Sequence, residues 1–197
     1  MVFDNSFFSI DRNAQPAKGH LLLAEPFMNE PYFGRSVVLL TQHSDEEGTM
    51  GLVLNKPLDI YLHEVVEGME IQQSIRLYCG GPVGPKSLFY LHNLPDLPHN
   101  FQITDQIYLG GDFEKLLELI NQGLGQGKFV RFFLGYSGWE KEQLAHEIKH
   151  QSWIVGPLAD ESILMEEKME TMWNRSLKSL GGKYRHWADF PQNPNLN

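Results

Sequence analysis

The sequence has little cysteine, no excess of positive charge and no long apolar run. Its 197 residues contain one cysteine, Cys79, so an internal disulfide and a disulfide-stapled secreted scaffold are both excluded. The longest apolar stretches, such as residues 21–24 and 36–40, are far shorter than the roughly 20 residues of a membrane-spanning helix. An acid, Asp4, stands where a signal peptide carries lysine or arginine. We therefore expect a cytoplasmic protein without a membrane segment.

Positive charge is scarce, because 25 acidic residues face 16 basic ones and the net charge is −9. A negative surface repels nucleic acid unless basic residues are concentrated in one place. The chain is 42% hydrophobic and 21% charged, which is a globular composition. No cofactor is indicated. We expect an unidentified protein or small molecule as the partner, and we do not expect direct binding to nucleic acid.

The order of apolar runs and turn residues predicts one α+β domain over residues 19–197, after an N-terminal arm over residues 1–18. Its sheet is expected to be largely antiparallel or mixed, flanked by helices. Strands are predicted over residues 21–24, 36–41, 51–54, 75–79, 88–92, 106–109, 128–134 and 153–155. Helices are predicted over residues 60–67, after an N-cap at Asp112, over 140–151 and over 162–180.

One helix carries a match to the zinc motif H-E-x-x-H, formed by His146, Glu147 and His150. Two imidazoles four residues apart share a helix face and can hold zinc, with the glutamate as general base. A catalytic zinc also needs a third protein ligand, for which the later residues Glu166, Glu167, Glu170 and His186 are the candidates. The alternative is that Leu144 and Ile148 face the core while both histidines lie on a polar flank.

Three glycine-rich segments approach known motifs without completing them. Residues 80–87 nearly match the phosphate loop, but Pro85 stands at its second glycine and a strand follows where a helix is required. Residues 123–127 follow a helix rather than a strand, which favours a helix-to-strand turn over a dinucleotide site. Residues 135–139 resemble a nucleophile elbow around Ser137, but Trp139 replaces the closing glycine. A tight strand-to-helix turn is the simpler interpretation.

A series of short motifs, in this order, resembles the AlgH/YqgE family from Gly19 to the C-terminus. The motifs are residues 19–24 with Pro26, Phe33, residues 35–40, 51–55, 80–83, 110–112 and 135–139, then Gln143, Leu144, Glu147 and Trp153. The resemblance implies a compact bacterial α+β protein. Its members are often labelled transcriptional regulators and have no established catalytic site. It also implies that Ser137 is commonly alanine in relatives, and that Glu147 fits the family pattern while His146 and His150 do not.

Two functions follow as hypotheses. The first is a binding or regulatory protein without catalysis, whose ligand surface uses backbone exposed at the glycine turns. Its candidate residues are Asn55, Gly80, Gly81, Pro82, Gly110, Gly111, Asp112, Tyr136, Ser137 and Trp139. The alternative for these glycines is that they only permit sharp turns. The second hypothesis is a zinc-dependent hydrolase that uses the H-E-x-x-H match.

The segment over residues 171–188 departs from the acidic balance of the chain, since it has four lysines or arginines and no acid. Aromatic side chains lie between these basic residues, as in surfaces that bind single-stranded nucleic acid. The residues are Arg175, Lys178, Lys183 and Arg185, with Trp173, Tyr184 and Trp187. We expect instead that this segment docks onto the acidic body of the protein, with Trp173 buried.

Overall fold

The computed structural model describes residues 14–44, 46–67, 73–165 and 167–191, so residues 1–13 of the expected arm lie outside the described part. Within these ranges the chain forms ten strands and six helices. The strands are β1 (His20–Ala24), β2 (Val37–Ser44), β3 (Gly48–Val53), β4 (Pro57–Tyr61), β5 (Arg76–Cys79), β6 (Val83–His92), β7 (Phe101–Gln102), β8 (Tyr108–Leu109), β9 (Val130–Trp139) and β10 (Trp153–Leu158). The helices are α1 (Leu62–Val65), α2 (Phe113–Asn121), α3 (Gln143–Lys149), α4 (Ser162–Met165), α5 (Met169–Leu180) and α6 (Gly182–Trp187).

The strands form a mixed sheet in the order β10-β1-β2-β3-β9-β6-β8-β7, and β5 lies between β4 and β9. Among the described residues, the pairing of β5 with β9 is parallel and the other pairings are antiparallel. The expected single α+β domain is confirmed. The predicted hairpin between the second and third strands is also present, as the antiparallel pair β2–β3.

The first strands divide their side chains between two apolar clusters, because successive residues of a strand point to opposite faces. Leu21 and Leu23 join the larger cluster with Trp173 of α5. Leu22 and Ala24 lie on the other face with Trp153, where α3 covers them with Leu144. Each fully buried leucine contributes about 1.5–3 kcal/mol of transfer free energy. A third cluster forms where α2 packs on β5, β6 and β9.

The two ends of the sheet approach one another at Gly19. A methyl group built on Gly19 would lie 2.8 Å from a Leu158 methyl carbon of β10 and 2.9 Å from Cγ2 of Thr104, which follows β7. The ammonium of Lys18 also donates a hydrogen bond to the carbonyl of Gln102 at 3.1 Å. The sheet therefore curls around the larger apolar cluster.

The helix after Asp112 is confirmed. The Asp112 side chain accepts a hydrogen bond from the backbone N–H of Lys115 at 3.0 Å, which is the N-cap interaction that the sequence predicts. Leu116, Leu117 and Ile120 are the buried residues of α2. The chain leaves the helix at Gly123, whose φ of +82° is favourable for glycine.

Three predicted helices are shorter than expected or broken. The helix over 60–67 is reduced to the single turn α1, because β4 pairs with β5 up to Tyr61. The helix over 140–151 is shorter, since Glu142 takes a φ of +62° and α3 begins only at Gln143. The helix over 162–180 is broken into α4 and α5. Met165, which a continuous helix would place on the same face as Trp173, is 48% exposed. None of the helices in the described ranges has the length and apolarity to cross a membrane.

Candidate functional site

The site that the sequence predicts around residues 135–139 is built on a backbone crossing. The segment was expected to be a strand-to-helix turn, but it is the second half of β9. One edge of β9 changes partner here, because β5 pairs with it up to Leu134 and β3 pairs with it from Ser137. The chain that leaves β5 crosses over β9 at this point and enters β6 on its other edge, where Val83 pairs with Tyr136.

Glycine is required at this crossing by contact between backbones. A methyl group on Gly80 would lie 2.3 Å from the carbonyl oxygen of Gly135. One on Gly81 would lie 2.3 Å from the carbonyl carbon of Tyr136. One on Gly135 would lie 2.6 Å from the carbonyl oxygen of Gly81. These distances leave no room for any side chain, and Gly135 also has a φ of +68°.

The hydroxyl group of Ser137 forms a hydrogen bond within this crossing. The Ser137 side chain is fully buried, and its Oγ donates a hydrogen bond to the carbonyl of Gly80 at 3.1 Å. The same carbonyl accepts the backbone N–H of Val53 at 2.9 Å. A nucleophile elbow exposes its serine on a strand-to-helix turn, whereas Ser137 lies inside a strand with its hydroxyl turned into the fold.

Glu147 lies near the end of β9 and accepts hydrogen bonds from two tryptophans. Its Oε2 accepts the indole N–H of Trp139 at 2.8 Å and that of Trp153 at 2.7 Å. Its Oε1 accepts the side-chain amide of Gln143 at 2.9 Å. The ring of Phe33 packs edge-on against Trp153, with centroids 5.4 Å apart. The residues that carry the family resemblance at this point therefore form one polar anchor inside an aromatic cluster.

The two histidines of the H-E-x-x-H match take no part in this anchor. His146 and His150 are exposed, and Nδ1 of His150 lies 2.7 Å from the backbone carbonyl of His146. Leu144 is buried, as the non-metal interpretation expects. In the described part of the chain, no three His, Cys, Asp or Glu side chains are grouped so that they could hold a metal ion. Glu166, one of the suggested third ligands, lies outside that part.

A shallow groove of about 580 Å³ opens beside the crossing, on the face of β2, β3 and β9. We call it the Tyr136 groove. Val83, Tyr136 and Gly138 line it, and so do Glu47 and Glu140. The Tyr136 ring rests on Phe89, with centroids 5.7 Å apart and the planes at 70°. Among the described residues the lining thus offers a tyrosine and two carboxylates and contains no lysine or arginine.

The remaining candidate ligand residues do not line this groove. Asn55 is buried and joins two backbone segments, since its Oδ1 accepts the N–H of Val37 and its Nδ2 donates to the carbonyl of Arg35, both at 2.9 Å. Pro82 is exposed at the crossing. Gly110 and Gly111 lead from β8 into α2, where Asp112 lines a separate cavity. The structure therefore brings Gly80, Gly81, Tyr136 and Ser137 together, and ligand binding by the full set stays a prediction.

The basic segment at the end of the chain packs onto the body of the protein. Trp173, Tyr184 and Trp187 are 1%, 7% and 3% exposed. The indole N–H of Trp173 donates to the carbonyl of Ala24 in β1 at 2.9 Å. Lys178 forms an ion pair with Asp189 at 2.8 Å. The aromatic rings that would stack on bases are therefore part of the core.

The buried His92 and the half-buried Lys56 were both missed by the sequence reasoning. His92 is fully buried, and its Nε2 donates to the carbonyl of Gly110 while its Nδ1 accepts the N–H of Leu94. Burial lowers the pKa of His92, and the hydrogen bond to Gly110 opposes this shift. Burial also lowers the pKa of Lys56, whose Nζ donates to the carbonyl of Gly34 at 2.7 Å. In the sequence both residues stand beside ordinary strand and turn patterns, so no local signal marks them.

Comparison with known proteins gives a consistent assignment. A family model described as AlgH-like matches residues 21–185. A protein from Bacteroides thetaiotaomicron, named UPF0301 protein, is 43% identical over 198 residues and aligns over 100% of both chains. UPF0301 protein BF2109 from Bacteroides fragilis is 44% identical, also over 100% of both chains.

Solved structures agree with this assignment at the level of the fold. The solution structure of AlgH from Pseudomonas aeruginosa superposes with a TM-score of 0.69 at 28% identity, covering 93% of this chain and 100% of that one. Protein DIP2367 from Corynebacterium diphtheriae gives a TM-score of 0.74 over 96% of this chain and 100% of that one. Its 24% identity supports a shared fold only. The match to the family model and the full-length similarity to two relatives together show that the chain belongs to the AlgH-like family.

Proposed function

We propose that the chain is a binding or regulatory protein of the bacterial cytoplasm that acts without catalysis and holds a partner in the Tyr136 groove. This proposal rests on the hydrogen bonds that Ser137 and Glu147, the two groups that resemble catalytic machinery, make inside the protein. Ser137 donates its hydroxyl to Gly80, and Glu147 accepts hydrogen bonds from two indoles and one amide. A nucleophile or general base must instead reach the substrate.

The chemistry of the groove favours a protein partner with basic side chains. Glu47 and Glu140 are both exposed and line the groove together with Tyr136. Carboxylates of this kind increase the association rate of a positively charged partner and fix its orientation. Tyrosine adds a large, rigid contact surface that loses little conformational entropy on binding.

Regulation through a protein partner also agrees with the packing of the basic segment. Nucleic-acid binding of the stacking type needs exposed aromatic rings next to free cations. Trp173 and Trp187 are buried in the core, and Lys178 is paired with Asp189. Any regulatory role would therefore act through the acidic groove rather than through contact with nucleic acid.

Photo-crosslinking in the native bacterium tests this proposal. A photoreactive amino acid at Gln42, an exposed residue that lines the groove, should crosslink to a protein partner. Glu47→Lys should reduce the crosslink at least about tenfold, because it reverses the charge that meets the partner. Glu46→Lys is a matched control, because both glutamates are exposed and both backbone N–H groups bond to Ser44 Oγ, but only Glu47 lines the groove.

Equal loss of the crosslink in both lysine variants would contradict a specific groove interaction, and so would its persistence in Glu47→Lys. The non-catalytic part of the proposal has its own test. Ser137→Ala and Glu147→Gln should leave partner capture intact, provided that the variants are folded by circular dichroism. A hydrolase activity of the purified protein that disappears in either variant would overturn it.

A further inference from the structure

A second cavity lies between helix α2, the loop after β6 and the glycine-rich loop after α2, and none of its described lining residues lines the Tyr136 groove. Its volume is about 440 Å³, within the range of roughly 300–1,000 Å³ that small-molecule sites occupy. Four leucines line it together with two prolines, and we call it the leucine cavity. The leucines are Leu94 and Leu97 of the loop after β6, Leu119 of α2 and Leu124.

The wall that carries Leu124 is a glycine-rich loop. Leu124 stands in it between Gly123, Gly125 and Gly127, whose φ angles are +82°, +80° and +73°. A methyl group built on any of these glycines would find no atom within 4 Å. The Gly127 carbonyl accepts a hydrogen bond from Nδ2 of Asn93 at 2.8 Å, and Leu124 packs against the third core cluster. A glycine-rich loop without tight packing can shift outward around a bound molecule.

The charged groups at the rim balance one another. The cavity is lined by two acids, Asp96 and Asp112, and by two lysines, Lys115 and Lys128. Asp112 is engaged as the cap of α2, and Lys115 is paired with Glu118 at 2.7 Å. Lys128 Nζ donates to the carbonyl of Asn93 at 3.4 Å. The stems of the two lysines extend the apolar wall while their ammonium groups stay at the rim.

We propose that the leucine cavity is a second binding site, which takes an uncharged and mainly apolar small molecule beneath Leu124. The apolar floor determines the body of the ligand, because ligand sites are lined mainly by apolar side chains with a few polar groups at defined positions. The rim influences its charge. Two carboxylates and two ammonium groups give neither an anion nor a cation a net attraction, whereas a neutral polar end can both accept from lysine and donate to aspartate.

Three probes with one tail and different heads test the proposal. They are 1-octanol, octanoate and octylammonium, titrated separately into the full-length protein with methyl-labelled leucine and followed by NMR. We expect 1-octanol to shift the methyl signals of Leu94, Leu97, Leu119 and Leu124, with a Kd of about 1 mM or below for so small a ligand. The two charged probes should bind no more tightly than 1-octanol.

Leu124→Gln should weaken 1-octanol binding at least about fivefold, since it removes the apolar cover. Leu158→Gln is a matched control, because Leu158 is 57% exposed on β10 and lines none of this cavity. Leu119→Gln provides a second test on the rigid wall formed by α2. The proposal is overturned if 1-octanol shifts none of the four leucines, if a charged probe binds tenfold more tightly, or if Leu158→Gln weakens binding as much as Leu124→Gln. These outcomes are independent of partner binding in the Tyr136 groove.

Discussion

The crossing glycines and the glycines of the loop after α2 have opposite environments, although both sets lie in segments that approach known glycine motifs. The first set is Gly80, Gly81 and Gly135, and the second is Gly123, Gly125 and Gly127. Methyl groups built on the first set would come within 2.3–2.6 Å of backbone atoms, whereas the second set has no atom within 4 Å. The first set is needed because two strands cross in contact. The second set is needed only because each residue has a positive φ.

This contrast shows what a glycine motif can and cannot reveal. The sequence marks both segments as unusual backbone, and that inference is right for both. It does not distinguish a place where backbones cross in contact from a place where the glycines have open space beside them. The first arrangement excludes any side chain at the crossing, and the second requires glycine only for its backbone conformation.

The largest expected effect is that of Gly81→Ala. The new methyl group would lie 2.3 Å from the backbone of Tyr136, and no side chain can move aside to relieve the contact. We expect a loss of about 3 kcal/mol or more in the free energy of unfolding, at the upper end of overpacking. Gly125→Ala should cost only about 1 kcal/mol, because it adds backbone strain at a φ of +80° and no clash. Urea unfolding of both variants measures the difference, and equal losses would refute the contrast.

The internal hydrogen bonds of Glu147 contrast with the exposed histidines of the H-E-x-x-H match. Glu147→Gln should have an intermediate effect on stability. The amide offers one acceptor oxygen where the carboxylate has two, so it could no longer accept from both indoles and from the Gln143 amide. We expect a loss of about 2 kcal/mol and a changed tryptophan fluorescence spectrum. His150→Gln changes an exposed side chain on the same helix and should cost less than about 0.5 kcal/mol. A zinc site would show the reverse order, with zinc lost from the histidine variant.

The smallest expected effect on stability concerns His92, whose ring donates a hydrogen bond to the carbonyl of Gly110. Burial lowers the pKa of His92 in the folded protein, so the unfolded chain, with a histidine pKa near about 6.5, takes up the proton more readily. The stabilisation is complete above the unfolded pKa and is lost as the pH falls below it. Between pH 7 and pH 5 we therefore expect this group to lower the free energy of unfolding as the pH falls. His92→Gln should flatten that part of the profile, and an unchanged slope would show that other groups cause it.

Local patterns were sufficient to predict the elements that local physics controls. The strands around residues 21–24, 36–41 and 75–79 and the Asp112 cap were all visible, because alternation and capping depend on neighbours in the chain. The ordered series of short motifs also indicated the correct family. The interpretation of residues 135–139 as a turn was wrong, because their extended form depends on β3, which lies about 90 residues earlier.

The candidate site was less predictable than the fold for the same reason. The pairing of Glu147 with Trp139 and Trp153 joins a helix to two strands, and its spacing coincides with a zinc motif. The leucine cavity forms between a loop, a helix and a glycine segment that have no common pattern. Asp112 was selected as a ligand residue, but its visible role is the helix cap. Residues that meet only through the tertiary fold leave no signal in a single sequence.

The position of β1 has a consequence for how the chain is made. β1 pairs with β10, and the carbonyl of Ala24 accepts the indole N–H of Trp173, 149 residues further along. During synthesis β1 can therefore pair with β10 only after the last quarter of the protein has begun to emerge. Contacts of such long range slow folding, because a large loop must close before they form. The domain should therefore complete its sheet only after most of the chain has left the ribosome, and the apolar side chains of β1 lack part of their cover until then.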